Sequence, residues 1–211
     1  MSADPRVSAR SEPAGDSLLA DTLAKAFQED PALCWILPRA EQRAARLPGL
    51  FRMLIPSARQ AGTVFAAPGN EAVSLWRAPG QADPGVGEQV ASLLPLLRVF
   101  GILGLNRALP VSAAMAAARR ELGAYWYLQY VGVAPASQGR GFGGALVRAG
   151  LELAERDGVP AVLETSKRDN VALYQRLGFR VLSTWRVLRD GPEFWTMTTA
   201  QAPVPTVFPA A

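Results

Sequence analysis

Apolar residues in the first third of the chain recur at the spacing of two amphipathic helices. From Ser17 to Phe27 they return every three or four positions, and Asp30-Pro31 is expected to end this helix. A longer apolar stripe predicts a second helix over residues 39–61, which Gly62 ends. Further helices are expected over residues 90–121 with a break near Pro110, over 143–157 and over 170–177.

Segments rich in β-branched and aromatic residues predict the strands of a sheet. They cover residues 63–67, 72–77, 125–133, 161–165, 179–188 and 194–199. Pro68-Gly69-Asn70 predicts a hairpin turn between the first two. The order of the elements predicts one α/β (α+β) domain with a mixed twisted sheet of about six or seven strands. Its pairing is expected to be antiparallel first and parallel across residues 131–165.

Both ends of the chain differ in composition from the rest. Residues 1–16 are polar with Pro5, Pro13 and Gly15, and we expect a flexible N-terminal arm there. Residues 201–211 contain three prolines and are expected to form a disordered tail. The folded domain is therefore expected to span residues 17–200.

Composition and charge narrow the classes of function. The chain is 49% hydrophobic and 19% charged, with a formal net charge of +4 that is too small and too scattered for a nucleic-acid footprint. It has no histidine and a single cysteine, Cys34, so a histidine base is excluded and no metal site is expected. There is no signal-peptide core, and prolines and arginines interrupt the apolar stretch 90–118. We expect a soluble cytoplasmic protein without membrane contact.

A glycine-rich segment, Gly139 to Gly144, joins a predicted strand to a predicted helix. Glycines let backbone N–H groups approach a ligand, and the unpaired N–H groups at a helix N-terminus favour an anion. Together with Arg140, such donors suit a pyrophosphate. A tight packing loop is the alternative without a ligand, but four glycines within residues 139–144 exceed what that role needs.

Two classes of pyrophosphate ligand fit this segment. Gly139, Gly141 and Gly144 match the G-x-G-x-x-G pattern of dinucleotide sites, and Glu164 follows at about the expected distance of 20 residues. However, several residues including Pro135 separate the strand from the first glycine, and the chain has too few βα units for a doubly wound sheet. The second class is acetyl-coenzyme A (acetyl-CoA).

The second class rests on a resemblance. Gln138-Gly-Arg-Gly141-Phe-Gly143 resembles the pyrophosphate loop of GNAT acetyltransferases, whose pattern is Gln/Arg-x-x-Gly-x-Gly/Ala. Asn170-Val-Ala-Leu-Tyr174-Gln-Arg-Leu-Gly-Phe resembles a second segment of that family. Residues 124–199 are more closely similar to puromycin N-acetyltransferase and related bacterial enzymes. The resemblance implies one GNAT domain whose sheet is splayed at the acetyl-CoA site, with residues 17–122 on the acceptor side and 123–200 binding the coenzyme.

The resemblance also implies roles for single residues. Backbone groups of Val131 and Val133 would pair with the pantetheine arm. The pyrophosphate would be held by N–H groups of a run of residues: Gln138, Gly139, Arg140, Gly141, Gly143 and Gly144. Asn170 would hydrogen-bond the coenzyme, although it could equally cap its helix. Tyr174 would protonate the leaving thiolate, the alternative being a packed core tyrosine.

Amine chemistry decides whether a base is needed. A lysine-like amine with a pKa near 10.4 is almost wholly protonated at pH 7, and removing its proton costs about 4.6 kcal/mol. Many relatives carry a carboxylate on the strand where this chain has Tyr127 and Gln129, neither of which is a plausible base. Glu164, at the end of a short apolar strand, is the best candidate, acting directly or through water. The alternative is a structural glutamate.

The acceptor site is the least defined part of the prediction. Trp35, Trp76, Tyr125 and Tyr127 are candidates to line an aromatic pocket, each with core packing as the alternative. The apolar run 93–105 is expected either to cover that pocket or to form a homodimer surface. The expected reaction is direct acetyl transfer to a primary amine of a small molecule. The alternatives are a peptide or protein N-acetyltransferase and a non-catalytic acyl-CoA-binding protein.

Overall fold

The computed structural model describes residues 7–9 and 15–200 of the chain. Their helices are α1 (Asp16–Ala26), α2 (Pro31–Ile36), α3 (Ala40–Ala61), α4 (Val86–Arg119), α5 (Phe142–Arg156) and α6 (Arg168–Arg176). Their strands are β1 (Ser8–Ala9), β2 (Gly62–Ala66), β3 (Ala72–Arg77), β4 (Trp126–Val133), β5 (Ala161–Thr165), β6 (Arg180–Arg186) and β7 (Glu193–Thr198). The predicted flexible arm and disordered tail lie largely outside these residues.

All described strands form one sheet, in the order β1-β2-β3-β4-β5-β7-β6. The β4–β5 pair is parallel and every other pair is antiparallel, which confirms the predicted mixed sheet. The parallel pairing is short. It runs from Trp126, opposite Ala161, to Leu128, opposite Leu163. Beyond Leu128, β4 continues to Val133 without β5, so the sheet opens between its two central strands.

Helices cover both faces of the sheet because alternate residues of each strand point to opposite sides. On one face, α1 and α3 bury Leu23 and Phe51 against Val73 and Leu75 of β3. On the other face, α5 packs against Trp76, the β3 residue that follows Leu75. This contact is close: a Cβ atom on Gly150 of α5 would lie 2.0 Å from the Trp76 ring, so only glycine fits there.

The Asp30-Pro31 pair begins a helix, contrary to the prediction that it only ends one. The Asp30 carboxylate accepts a hydrogen bond from Leu33 N at 3.0 Å and caps α2. Pro31 occupies the first turn, where a missing N–H leaves no hydrogen bond unmade. Helix α1 has already ended at Ala26, so the pair marks a start.

Two other predictions about local structure are wrong. Helix α4 breaks at Gly101 rather than near Pro110, because Gly101 has a φ of 65°, in the left-handed region that favours glycine. The N-terminal arm is also not wholly flexible: Ser8 and Ala9 pair with Ala66 and Phe65 of β2.

Helix α4 is unusually apolar on its exposed side. Leu94, Ile102 and Leu103 are 64%, 72% and 83% exposed, whereas Val99 and Phe100 pack into the core beside α3. By length and composition alone, residues Gly87–Arg119, with a mean hydropathy of 1.4, could cross a membrane. This measure tolerates the arginines that the sequence analysis counted as interruptions of the apolar stretch, and it does not place the helix in a membrane.

Candidate active site

The predicted phosphate-binding turn lies where β4 ends and α5 begins. Gly139 and Gly141 have φ values of 78° and 81°, which favour glycine, and no side chain caps α5. The first hydrogen bond of this helix is donated by Ala145 N to Gly141 O at 3.1 Å. The amides of the first turn therefore have no partner within the helix and can bind an anion.

Polar side chains surround this turn. Gln138 donates weakly from Nε2 to Val133 O at 3.4 Å, and the Arg140 guanidinium lies 5.0 Å from the ring centre of Phe142. The exposed Arg148 lies one helical turn beyond Gly144, where a Cβ atom would be 3.6 Å from its guanidinium. The sequence analysis missed Arg148, although the spacing of four residues would have placed it on the same face as Gly144.

The opening between β4 and β5 lies beside this turn. Residues 130–133 of β4 remain paired with β3, but their edge toward β5 has no strand partner. The β3–β4 register shifts between Leu75 and Trp76, which places a bulge near Gln129, where the two central strands separate. Val131 and Val133 both lie on this open edge, as their predicted contact with an extended ligand arm requires.

Tyr174 lies on α6 and is buried, with only 5% of its surface exposed. Its ring packs edge to face against Phe179, with centroids 5.8 Å apart. Burial raises the pKa of the Tyr174 phenol, and the charge of Asp30 raises it further. The phenol therefore keeps its proton at neutral pH and can donate it.

Asn170 is half-buried in the first turn of the same helix. Its backbone N–H donates to Lys167 O at 3.0 Å. The N-cap position of this helix is occupied by Lys167 and not by Asn170. The alternative that Asn170 caps this helix is therefore wrong. Its side chain remains a candidate for contact with the coenzyme.

Glu164 lies in a buried ion pair. Arg119 of α4 donates from Nη1 to both Glu164 oxygens at 3.0 Å, and the side chains are 4% and 0% exposed. The Tyr127 phenol also bonds this carboxylate, and Arg119 lies over the Tyr127 ring at 4.2 Å. Burial raises the pKa of Glu164, while Arg119 and Tyr127 oppose that rise. A carboxylate held in this way is not free to contact an acceptor amine, so the geometry contradicts the direct base role and favours the structural alternative.

The four aromatic residues predicted for the acceptor site do not form one pocket. Trp76 is fully buried beneath α5, and this position contradicts its predicted role. Tyr125 and Tyr127 pack with Val162 at the paired end of β4, away from the opening. Trp35 lies elsewhere, on α2, where its Nε1 donates to Asp190 Oδ2 at 3.2 Å.

The structure brings a different carboxylate to the opening. Ser166, directly after β5, donates from Oγ to Asp30 Oδ2 at 3.1 Å, and the same Oγ accepts from Ala32 N at 3.3 Å. These bonds join the start of α2 to the end of β5. The sequence contained the signal for the helix cap in Asp30-Pro31, but no local pattern indicated its partner 136 residues away.

Among the residues that the structure describes, no group of three or more acidic, cysteine or histidine residues could hold a metal ion.

A family model described as the acetyltransferase (GNAT) family matches residues 104–179. Over 181 residues, the chain is 25% identical to an uncharacterised N-acetyltransferase of Schizosaccharomyces pombe, covering 81% of this chain and 73% of that protein.

Two solved structures are similar over almost their full length. The first, from Corynebacterium glutamicum, is described as histone acetyltransferase HPA2 and related acetyltransferase. It has a TM-score of 0.68 and 28% identity, covering 95% of this chain and 98% of that one. The second, arylalkylamine N-acetyltransferase 2 from Aedes aegypti, has a TM-score of 0.64 and covers 92% and 97%, but at 13% identity it shows the fold alone. The closer resemblance to puromycin N-acetyltransferase is not confirmed.

Proposed function

We propose that the chain is a GNAT acetyltransferase that transfers the acetyl group of acetyl-CoA directly to a primary amine of a small molecule, supported by the family match over residues 104–179 and by the similar N-acetyltransferases. The observation that carries this proposal is the turn Gly139–Gly144 beside the opening in the sheet. Its first-turn amides lack helical partners, and it lies next to an unpaired strand edge. A diphosphate joined to an extended amide-bearing arm has the chemistry to use both features.

In this proposal, the protein holds the coenzyme through backbone groups and two arginines. The amides of the turn, with Arg140 and Arg148, bind the pyrophosphate, and Asn170 contacts the coenzyme. Val131 and Val133 pair with the pantetheine arm as a neighbouring strand would. This arrangement directs the thioester toward the opening, on the side where Tyr174 is buried.

The reaction needs no enzyme nucleophile. The neutral amine attacks the thioester carbonyl carbon, a C–N bond forms and the C–S bond breaks. Tyr174 gives its proton to the leaving thiolate and regains one from the amide nitrogen or from solvent. The raised pKa keeps this phenol protonated at neutral pH but also makes it a weaker acid, so its role as a proton donor rests on its position beside the proposed thioester and not on its pKa.

Helices above the opening support a small acceptor. Ala32 of α2, Val111 of α4 and Phe194 of β7 form one buried cluster. Ala32 joins this cluster to the end of β5, because its N–H donates to Ser166 Oγ at 3.3 Å, beside the Asp30–Ser166 bond. A long polypeptide acceptor would need an open groove there. We therefore favour a small amine over a protein or peptide terminus.

The proposal is tested by calorimetric titration with acetyl-CoA and NAD, followed by turnover over a library of amines and short peptides. We expect binding of acetyl-CoA and not NAD, and release of free thiol with at least one small amine. Transfer only to peptides would replace the proposed acceptor. Acetyl-CoA binding without turnover of any acceptor would favour a non-catalytic binder, and binding of NAD alone would refute the proposal.

A further inference from the structure

Asp30 is the carboxylate that the fold places at the opening, and the role argued here rests on the proposed function. It stands between α1 and α2, half-buried, and reaches the end of β5 through Ser166. Glu164, two residues before Ser166, points instead into the ion pair with Arg119. The two carboxylates therefore flank the end of β5 but face different surroundings.

The phenols near Asp30 show which part of the molecule its charge reaches. The charge of Asp30 raises the pKa of Tyr130, on the part of β4 that has left β5, and that of Tyr174 on α6, although burial is the larger cause for both. Lys167, which precedes α6, acts on Asp30 in turn. Asp30 thus lies among residues of the open part of β4, the end of β5 and α6, which together border the proposed thioester position.

The hydrogen bonds of Asp30 leave it able to accept a proton. Its donors are neutral: Leu33 N at 3.0 Å, Ser166 Oγ at 3.1 Å and the amide of Ala32, which is shared with Ser166 Oγ. Within the described ranges, no arginine or lysine forms an ion pair with it, in contrast to Glu164. A carboxylate has about four lone-pair positions, so one position remains for an incoming ammonium group.

Burial raises the pKa of Asp30 above its ordinary value, although the three hydrogen bonds and Lys167 oppose that rise. The other ionisable groups near it are the Cys34 thiol on α2 and the Tyr130 and Tyr174 phenols, all with raised pKa values. All three are neutral at pH 7. The charged groups nearby are Lys167, which acts on Asp30, and the ion pair of Arg43 with Glu29 at 3.6 Å, which acts on Cys34 together with Asp30. A carboxylate with a raised pKa is better matched to removing a proton from an ammonium group than an ordinary one.

We propose that Asp30 is the residue that takes the proton from the acceptor amine, with Ser166 as the residue that positions it. The acceptor enters as an ammonium ion, R–NH₃⁺, and gives one proton to an Asp30 oxygen. The neutral amine then attacks the thioester carbon. The C–S bond breaks, Tyr174 protonates the thiolate and regains a proton from the amide nitrogen, and Asp30 returns its proton to solvent.

The variants Asp30→Asn and Asp30→Ser separate this role from capping of α2. Asparagine and serine cap helices about as well as aspartate, but neither can take up the proton. We expect both variants to melt close to the unmodified protein and to bind acetyl-CoA equally well. Asp21→Asn is the matched control, because Asp21 is an exposed carboxylate on α1 paired with Arg52 at 3.2 Å.

The decisive measurement compares two acceptor amines of different pKa. For an amine with a pKa near 10, we expect Asp30→Asn to lower kcat about 10²–10³-fold at pH 7. For an amine with a pKa near 8, roughly a tenth of which is neutral at pH 7, the loss should be much smaller. Raising the pH should likewise narrow the difference between variant and unmodified protein.

The outcomes are distinguishable. An equal loss for both amines at every pH, no loss at all, or failure of both variants to fold would overturn the role of Asp30. Transfer by the unmodified protein that Asp30→Asn leaves intact would refute this role alone. Absence of transfer by the unmodified protein would refute the proposed function, and the role of Asp30 with it.

Discussion

The two halves of this domain contribute to the candidate site in different ways. In residues 123–200, the proposed coenzyme side is built from backbone amides, glycines and a strand edge that follow one another along the chain. On the proposed acceptor side, the site depends on side chains that meet from distant segments, as Arg119 meets Glu164 and Asp30 meets Ser166. The first kind of site leaves a motif in the sequence, and the second does not.

Breaking the ion pair between Arg119 and Glu164, which joins the two halves, should change stability most. Glu164→Gln would leave the buried Arg119 guanidinium without its full counter-charge, and we expect a loss of about 3–5 kcal/mol in the free energy of unfolding, measured with urea. The double variant Arg119→Met with Glu164→Leu should recover most of that loss and keep acetyl transfer. A Glu164→Gln protein that is fully stable but inactive would restore Glu164 as the base.

Tyr174→Phe should affect rate and not structure. Removing one hydroxyl leaves the ring packed against Phe179, so the melting temperature and acetyl-CoA affinity should hold while kcat falls about 10²–10³-fold. Tyr125→Phe is the control, since Tyr125 is also buried but lies at the paired end of β4. Equal activities of the two variants would show that Tyr174 is only a packed core residue.

Gly150→Ala tests the packing of α5 on the sheet. Its added methyl group would meet the Trp76 ring at 2.0 Å, and overpacking of this kind costs about 1–3 kcal/mol of stability. Thermal unfolding measures the loss, and a smaller residue in the double variant Gly150→Ala with Trp76→Leu should recover part of it. An unchanged melting temperature would mean that α5 can move away from β3 freely.

Gly139→Ala should change stability least, and it should affect acetyl-CoA binding specifically. Gly139 and Gly158 both have positive φ, at 78° and 66°, and a Cβ atom would meet nothing within 4 Å at either position. Each alanine variant should lose about 1–2 kcal/mol of stability through strain. Only Gly139→Ala should also weaken acetyl-CoA binding, by about tenfold if one amide contact is lost. Equal affinities of the two variants would place the coenzyme elsewhere.

The fold was largely predictable because its elements are local. The apolar stripe of α3, the hairpin between β2 and β3 and the amphipathic α5 all follow from residues close together in sequence. The break of α4 was misplaced because the helix continues through Pro110 despite the hydrogen bond lost there, and because the sequence does not show which glycine takes a positive φ, as Gly101 does. The start of α2 was missed although its cap and first residue, Asp30 and Pro31, were both present.

The candidate site was predictable only where its groups are adjacent in sequence. The turn from Gly139 to Gly144 formed at the expected helix start. Trp76 was misassigned because strand alternation groups residues by face but does not say which face meets which helix. The partner of Glu164 lies 45 residues away and that of Asp30 lies 136 away, so the environment of each carboxylate depends on tertiary structure.

The short parallel pairing of β4 with β5 has a consequence for cohesion of the domain. Three residue pairs are the whole ladder between the two parts of the described sheet. A bound coenzyme arm would add further backbone hydrogen bonds along the opening between β4 and β5. At a concentration one hundred times its Kd, the ligand would contribute about 2.7 kcal/mol to the free energy of unfolding. Amide protons of residues 129–133 should therefore exchange with solvent most readily in the unliganded protein and become protected when the coenzyme arm binds in the opening.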